Sequence, residues 1–390
     1  MMPVERRPQM ERPQTRTSLL ELAALYLRLG ATAVGGPAVH ISMMEEEVVS
    51  RRGWLTRADF LDFLGATNLI PGPNSTEMAI HVGRVRAGWR GLLVAGVSFI
   101  LPAALMVGCL AWAYVRFGTL PQIGAVLYGV KPVVIVVIAQ GAFRLAKSAV
   151  KSTWLGVLGL AAMLAAGLGV DPLLILAAAG VLAGIAYLGN VRGRAFFVGS
   201  VAAAGTAAGA VPVGLALLFL VMLKIGATIF GGGYVLVAFL RSDLVVRLGW
   251  ITERQLLDAV AMGQVTPGPL FTTATFIGYI LGGVRGAVIA TVAIFLPAFV
   301  LVAVSGPLVP RIRKSPTAGA VLDGINVAAL ALMLVVSAQL ARTAIVDWFT
   351  LAIAGVSALL LFRYRVNSAW LVLGSAAAAG LLFWLRLHHS

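Results

Sequence analysis

Glu77 and His81 stand one helical turn apart, just after the triplet Pro71-Gly72-Pro73, in an otherwise apolar stretch. Both side chains can titrate near neutrality when buried, so a proton relay is one reading of the pair; a helix-surface hydrogen bond near Arg84 is the other. Arg28 and Lys224 also lie in apolar stretches, each two residues before a glycine, Gly30 and Gly226. A buried cation is expensive and usually faces a bundle interior or water. Two of them at matched positions would flank a central site from opposite sides, and such a site suits a dianion. Asn68 and Gln264 each precede a Pro-Gly-Pro by three residues. Their amides either hydrogen-bond ligand oxygens or repair backbone groups freed nearby, and repair is the preferred reading. Lys131 has Asn326 at its matched position; it either biases one access state or pairs with an acid such as Asp323. Glu45-Glu46-Glu47 with Arg51-Arg52 reads as a solvated interfacial helix.

Catalysis on a lipid phosphate would need clustered acids for a metal, or a base beside a nucleophile. The sequence offers no such cluster, and two of its four histidines, His388 and His389, lie at its C-terminal end. Cys109 is the only cysteine, so neither a disulfide framework nor a thiolate metal site is available. No catalytic residue, metal or cofactor is therefore expected.

The elements that must position these residues are broken helices. Thr56 with Asp59, and Thr252 with Gln255, form N-terminal caps after Gly-Trp, so a helix starts near each. Neither helix can run through Pro71-Gly72-Pro73 or Pro267-Gly268-Pro269, because proline removes an amide donor and disfavours helical geometry in the residue before it. A second half-helix begins at Asn74-Ser75-Thr76 and at Leu270-Phe271-Thr272. Its free amides and the positive end of its dipole make a ready anion site. Gly35-Gly36 and Gly231-Gly232 interrupt the preceding span in the same way, facing the same cavity or packing helices closely.

Residues 30–102 reappear at 226–297, first at an offset of 196 and, past the Pro-Gly-Pro, at 195. Hydrophobic residues make up 60% and charged residues 12% of the chain, about half the charge of a soluble domain. The fold class is therefore an all-α polytopic membrane protein of two repeats, with about 10 to 13 transmembrane segments. The net charge of +15 is scattered singly through loops, which marks topology and not nucleic-acid binding. Residues 1–17 read as a cytoplasmic tail, 18–194 as the first repeat, 195–212 as an apolar connector and 213–390 as the second repeat. Lys and Arg flip between matched loops: Arg116 against Arg311, Arg313 and Lys314, then Arg144, Lys147 and Lys151 against Arg342. Opposite bias in matched loops predicts inverted repeats, with 195–212 as an odd crossing. Six spans, one and six give thirteen; treating the broken helices as re-entrant hairpins lowers the count without changing that parity.

The segments Val34-Gly35-Gly36-Pro37-Ala38-Val39-His40, Arg52-Gly53-Trp54-Leu55, Ile70-Pro71-Gly72-Pro73 and Phe230-Gly231-Gly232-Gly233-Tyr234 resemble the chromate ion transporter family, in its long form with two fused domains. The resemblance implies efflux of chromate, a tetrahedral oxyanion, across the bacterial inner membrane. It further implies driving by the proton-motive force, with sulfate as analogue and competitor. The partners expected are the oxyanion, the lipid bilayer, a coupling proton and a second copy of the chain in a homodimer. Many family members carry glutamine shortly before and after the first Pro-Gly-Pro, where this chain has Asn68 and Glu77. A carboxylate there weakens dianion binding or couples it to a proton. Transport or exchange of sulfate or another small anion is the alternative.

Overall fold

The computed structural model describes residues 17–118, 120–192, 213–230, 233–305 and 315–388. Fourteen α-helices and no strand occur among them, and six helices are long and apolar enough to cross a membrane. The tail 1–16, the connector 195–212, the pair Gly231-Gly232 and the basic loop 311–314 lie outside the described residues.

Each half opens with two helical hairpins. α1 (Leu19–Thr32) begins where the Ser18 hydroxyl accepts the amide of Glu21, and it stops at a break in which Gly35 and Gly36 hold φ of 126° and 84°. α2 (Pro37–Glu45) continues as a π-turn over Glu46–Arg51. It runs back along α1: His40 bonds Ala33 near the break, Arg28 meets Glu47 further out, and Glu21 meets Arg52 at the open end. α3 (Arg57–Thr67) is capped by Thr56, as its sequence predicts. After the Pro-Gly-Pro, α4 (Asn74–Phe117) returns along α3, with Asn74 bonded to Asn68 and His81 stacked on Phe63. Gly72 at φ 145° permits that reversal, a backbone conformation that a side chain would oppose. The arms counted from sequence as separate crossings thus turn back toward the end from which they start.

α4 bends sharply once more at Ala87 and Gly88, where Gly88 has φ 62°. The two segments then lie so close that a Cβ on Gly83 would collide with the Gly91 carbonyl oxygen. Small residues are what allow such backbone approach between helices without a hydrophobic drive from water. α5 (Pro121–Ala149), α6 (Thr153–Gly167) and α7 (Pro172–Arg192) complete the first half.

The second half repeats the plan. α8 (Leu215–Thr228) leads to α9 (Leu236–Leu240) and a π-turn over Arg241–Arg247. α10 (Glu253–Val265) carries a reciprocal cap between Thr252 and Gln255, and α11 (Thr273–Ser305) bends at Gly282 and Gly283. α12 (Pro316–Ala344), α13 (Trp348–Phe362) and α14 (Ser368–His388) follow.

The halves are fitted together antiparallel. Residues near the second bend of α4 meet the far end of α11: Arg84 donates to the Val302 and Ala303 carbonyls, and Gly96 packs on Phe299. At the other end Tyr114 of α4 packs on Phe276, near the start of α11. Further pairs carry the same two-fold relation. Gly72 lies against Ala298 while Gly268 lies against Ala103, and Gly129 meets Ser375 while Gly324 meets Ala179. α5 accordingly packs on α13 and α14 of the other half, and α12 on α6 and α7. Outward positions of α4, including Leu93, Val97, Leu101 and Leu105, are exposed and apolar, as a lipid-facing surface requires.

Candidate functional site at the hairpin tips

The four hairpin tips meet at the centre, and two backbone hydrogen bonds exchange between the halves there. The amide of Gly72 donates to the Ile229 carbonyl at 2.9 Å, and the amide of Gly268 donates to the Ala33 carbonyl at 3.0 Å. These are matched pairs, since Gly72 and Gly268, like Ala33 and Ile229, are 196 residues apart. Each Pro-Gly-Pro thus places its one amide on the carbonyl that ends the first arm of the opposite half. Irregular backbone at membrane depth must find such partners or water.

Around this junction several buried polar atoms have no hydrogen-bond partner: the Thr76 hydroxyl, both Glu77 carboxylate oxygens, His81 Nε2 and Gln264 Nε2. Glu77 is fully buried, and a Cβ added at Gly72 would collide with its Oε1, so the carboxyl group sits against the break itself. Glu77 and His81 do not bond one another; His81 is held by its ring stack on Phe63, with centroids 5.4 Å apart. At the head of α4 the amides of Thr76 and Glu77 fold back on the Pro73 carbonyl, leaving those of Asn74 and Ser75 without an intrahelical acceptor. Thr272 and its hydroxyl fold back likewise on Pro269. Asn74 spans the break to Asn68, its side-chain amide donating to Asn68 Oδ1, a bond between side chains that repairs no backbone group. Gln264 keeps a free donor.

Sequence reasoning passes over His40 as a site residue. It is buried, its Nε2 lies 3.0 Å from the Ala33 carbonyl and its Nδ1 lies 3.2 Å from the Ser75 hydroxyl. With Nε2 donating, Nδ1 accepts from Ser75, which ties the first tip to the head of α4. Its matched position is Leu236, so the tie exists in one half only.

The matched cations take another place than the one expected. Arg28 pairs with Glu47 at 2.6 Å and its side chain is 51% exposed; Lys224 pairs with Asp243 at 3.0 Å. Each is neutralised within its own hairpin and is not free to flank a shared anion. Glu47 departs from the solvated acidic run expected of it: it is buried and collects Arg28, Arg51 and Arg52. The signal was available, because Glu47 matches Asp243 at offset 196 and Arg51 matches Arg247, which makes the same i,i+4 pair. Arg57 with Glu45 and Glu253 with Arg241 are the same contact with its charges exchanged. Since Arg28 is half exposed, Arg28→Gln is expected to lower stability by under about 1 kcal/mol in thermal unfolding of the purified protein. Lys131 pairs with Asp258 at 3.1 Å, and Asp323 pairs with Lys151 instead.

A crevice of about 740 Å³ between α4 and α11 is lined almost wholly by apolar side chains, with Leu93, Val97 and Leu101 on one wall and Val288 and Phe295 on the other, and offers an anion no charged donor.

Two blocks of this chain, residues 20–185 and 216–381, match the chromate transporter family, one for each structural half. The chain belongs to the chromate transporter family. The chromate transport protein of Cupriavidus metallidurans is 35% identical over 382 residues, covering 95% of each chain. That of Pseudomonas aeruginosa is 33% identical over 385 residues, covering 94% of this chain and 92% of its own. An uncharacterized transporter of Bacillus subtilis is 35% identical over 118 residues, 30% of this chain but 66% of its own, a length shorter than either half. No solved structure matches. Among the described residues no group of His, Cys, Asp and Glu could hold a metal ion.

Proposed function

We propose that this transporter carries chromate, as a tetrahedral dianion, out of the cytoplasm across the bacterial inner membrane, with the ligand bound between the hairpin tips. The observation that carries the reading is the exchanged Gly72–Ile229 and Gly268–Ala33 junction, ringed by unpartnered buried polar groups, in a chain whose two halves both match the family.

Donors come from the amides at the head of α4, the Thr76 hydroxyl and Gln264, with the helix dipole adding positive potential. The two exchanged bonds are the natural moving parts. Rocking one half against the other breaks one junction before the other and opens the site to each side in turn. The antiparallel packing of α4 on α11, together with the opposite Lys and Arg bias of matched loops, supports insertion of the halves in opposite senses. With the hairpins not crossing, each half keeps four helices that can cross.

The membrane potential suffices as driving force. A dianion leaving a negative interior gains about 4.6 kcal/mol per 100 mV, or about 2.3 kcal/mol if one proton leaves with it. Glu77 is the proton-bearing group. Its two carboxylate oxygens are buried against the break without a hydrogen-bond partner, so an ionised Glu77 would compete with and repel a dianion at the same helix N-terminus, and the dianion binds while this carboxyl group is neutral. His81, with one free ring nitrogen a turn away, is the relay.

Cells expressing the protein should accumulate less chromate than vector controls, and an uncoupler or excess sulfate should abolish the difference. Equal or greater accumulation would move the function to uptake, or to exchange of sulfate or another small anion.

A further inference from the structure

Where the end of α5, the α13–α14 connection and the first hairpin come together, a pocket of about 440 Å³ is lined by Gly35, Ser42, Arg144, Tyr234, Arg365 and Asn367. Its lining includes two arginines, both exposed, and neither aspartate nor glutamate. Neither Arg144 nor Arg365 belongs to an ion pair among the described residues, whereas most cations of the hairpins do. Its rim is tied down: Gln140 donates to the Leu361 carbonyl, and Asn367 donates to the Val34 carbonyl at 3.1 Å. Val34 adjoins Ala33, whose carbonyl accepts the Gly268 amide at the junction, so the rim of the pocket and the junction share one stretch of backbone.

Arg365 is the one non-glycine residue with positive φ among the described residues, at 55°. The repeat shows that the turn itself does not call for arginine. In this turn the two halves align at an offset of 196, which sets Arg365 against Gly169, with φ 84°, because the turns have the same build: Asp171 caps the amide of Leu173 in one half, and Asn367 caps that of Ala369 in the other. Arginine therefore occupies a site where glycine is the conformationally easy choice. Arg144 likewise matches Gln339 at offset 195, and Asn367 matches the carboxylate Asp171. One end of the molecule has two arginines and an asparagine where the two-fold-related end has glutamine, glycine and aspartate.

We propose that the Arg144–Arg365 pocket is an anion-loading vestibule that gathers a tetrahedral dianion on the side of the molecule where α1 begins, and that its absence at the two-fold-related end makes the carrier bind its ligand more tightly from one side. The asymmetry sets apparent affinity on each face; net direction still follows the driving force. The proposal rests on the oxyanion-transport reading given above and extends it to a site outside the hairpin tips.

The test uses sulfate as probe, titrated into the purified full chain in phosphatidylcholine nanodiscs at low ionic strength, against the variant Arg144→Gln/Arg365→Gly, which copies the residues of the other half. The expected result is a rise in Kd of about ten-fold or more at an unchanged or higher Tm, with added salt weakening the parent more than the variant. An unchanged Kd overturns the proposal. So does an effect confined to nanodiscs containing phosphatidylglycerol, which would make a lipid phosphate the occupant. Chromate transport measured in parallel separates the two claims. Sulfate binding that depends on the arginines without chromate transport would remove the transport reading alone, and chromate transport with arginine-independent sulfate binding would remove the vestibule alone.

Discussion

Glu77→Gln is expected to retain potential-driven chromate movement within about two-fold of the parent while flattening its dependence on pH. Glutamine has nearly the shape of the neutral acid and cannot ionise, so it mimics the state that admits a dianion. In the parent, an ionised Glu77, favoured as the pH on the loading side rises, repels the ligand through a buried carboxylate that has no hydrogen-bond partner. Parent transport should therefore fall as pH rises, and variant transport should not. Initial rates in energised vesicles at several pH values, with the potential clamped by potassium and valinomycin, check this. An inactive Glu77→Gln protein that is normally folded, or one that keeps the parent's pH dependence, would remove Glu77 from the role assigned to it.

Lys131→Met and Asp258→Asn, made singly, should each lower stability by about 3–5 kcal/mol, while the double variant should return most of that loss. The pair joins α5 of one half to α10 of the other, with side chains 9% and 0% exposed. Removing one partner strands a charge in an apolar core. Removing both leaves none, and the asparagine side chain of the double variant can still accept the hydrogen bond that Tyr114 donates to Asp258 at 3.0 Å. Thermal unfolding of the purified variants in detergent gives the comparison. Single variants with Tm values near that of the parent would mean that water reaches the pair.

The features legible in sequence were those that depend on local chemistry. The caps at Thr56 and Thr252, the breaks at both Pro-Gly-Pro triplets and the duplication all follow from residue types at short spacing, and the structure carries them at those residues. What local chemistry cannot say is where a chain goes after a break. Pro71-Gly72-Pro73 forbids a continuous helix, but both a kinked span and a full reversal obey that rule; the choice falls to packing, here the seat of His81 on Phe63. The same limit misplaces the cations. Arg28 looks unpaired in sequence because its acid, Glu47, lies nineteen residues away beyond a break and within a run of three glutamates. The repeat holds the missing information, since Glu47 and Asp243 match as closely as Arg28 and Lys224 do. His40 and Arg365 give no such signal, because neither has a like residue at its matched position and each owes its setting to contacts between elements distant in sequence.

The central claim, energised outward movement of chromate through this chain, is tested most directly with inside-out membrane vesicles, whose interior corresponds to the outside of the cell. On energisation, vesicles containing the protein should accumulate radiolabelled chromate above vector controls, and valinomycin with potassium or an uncoupler should return the level to that of the controls. Accumulation equal to controls, or accumulation indifferent to the membrane potential, would contradict the account.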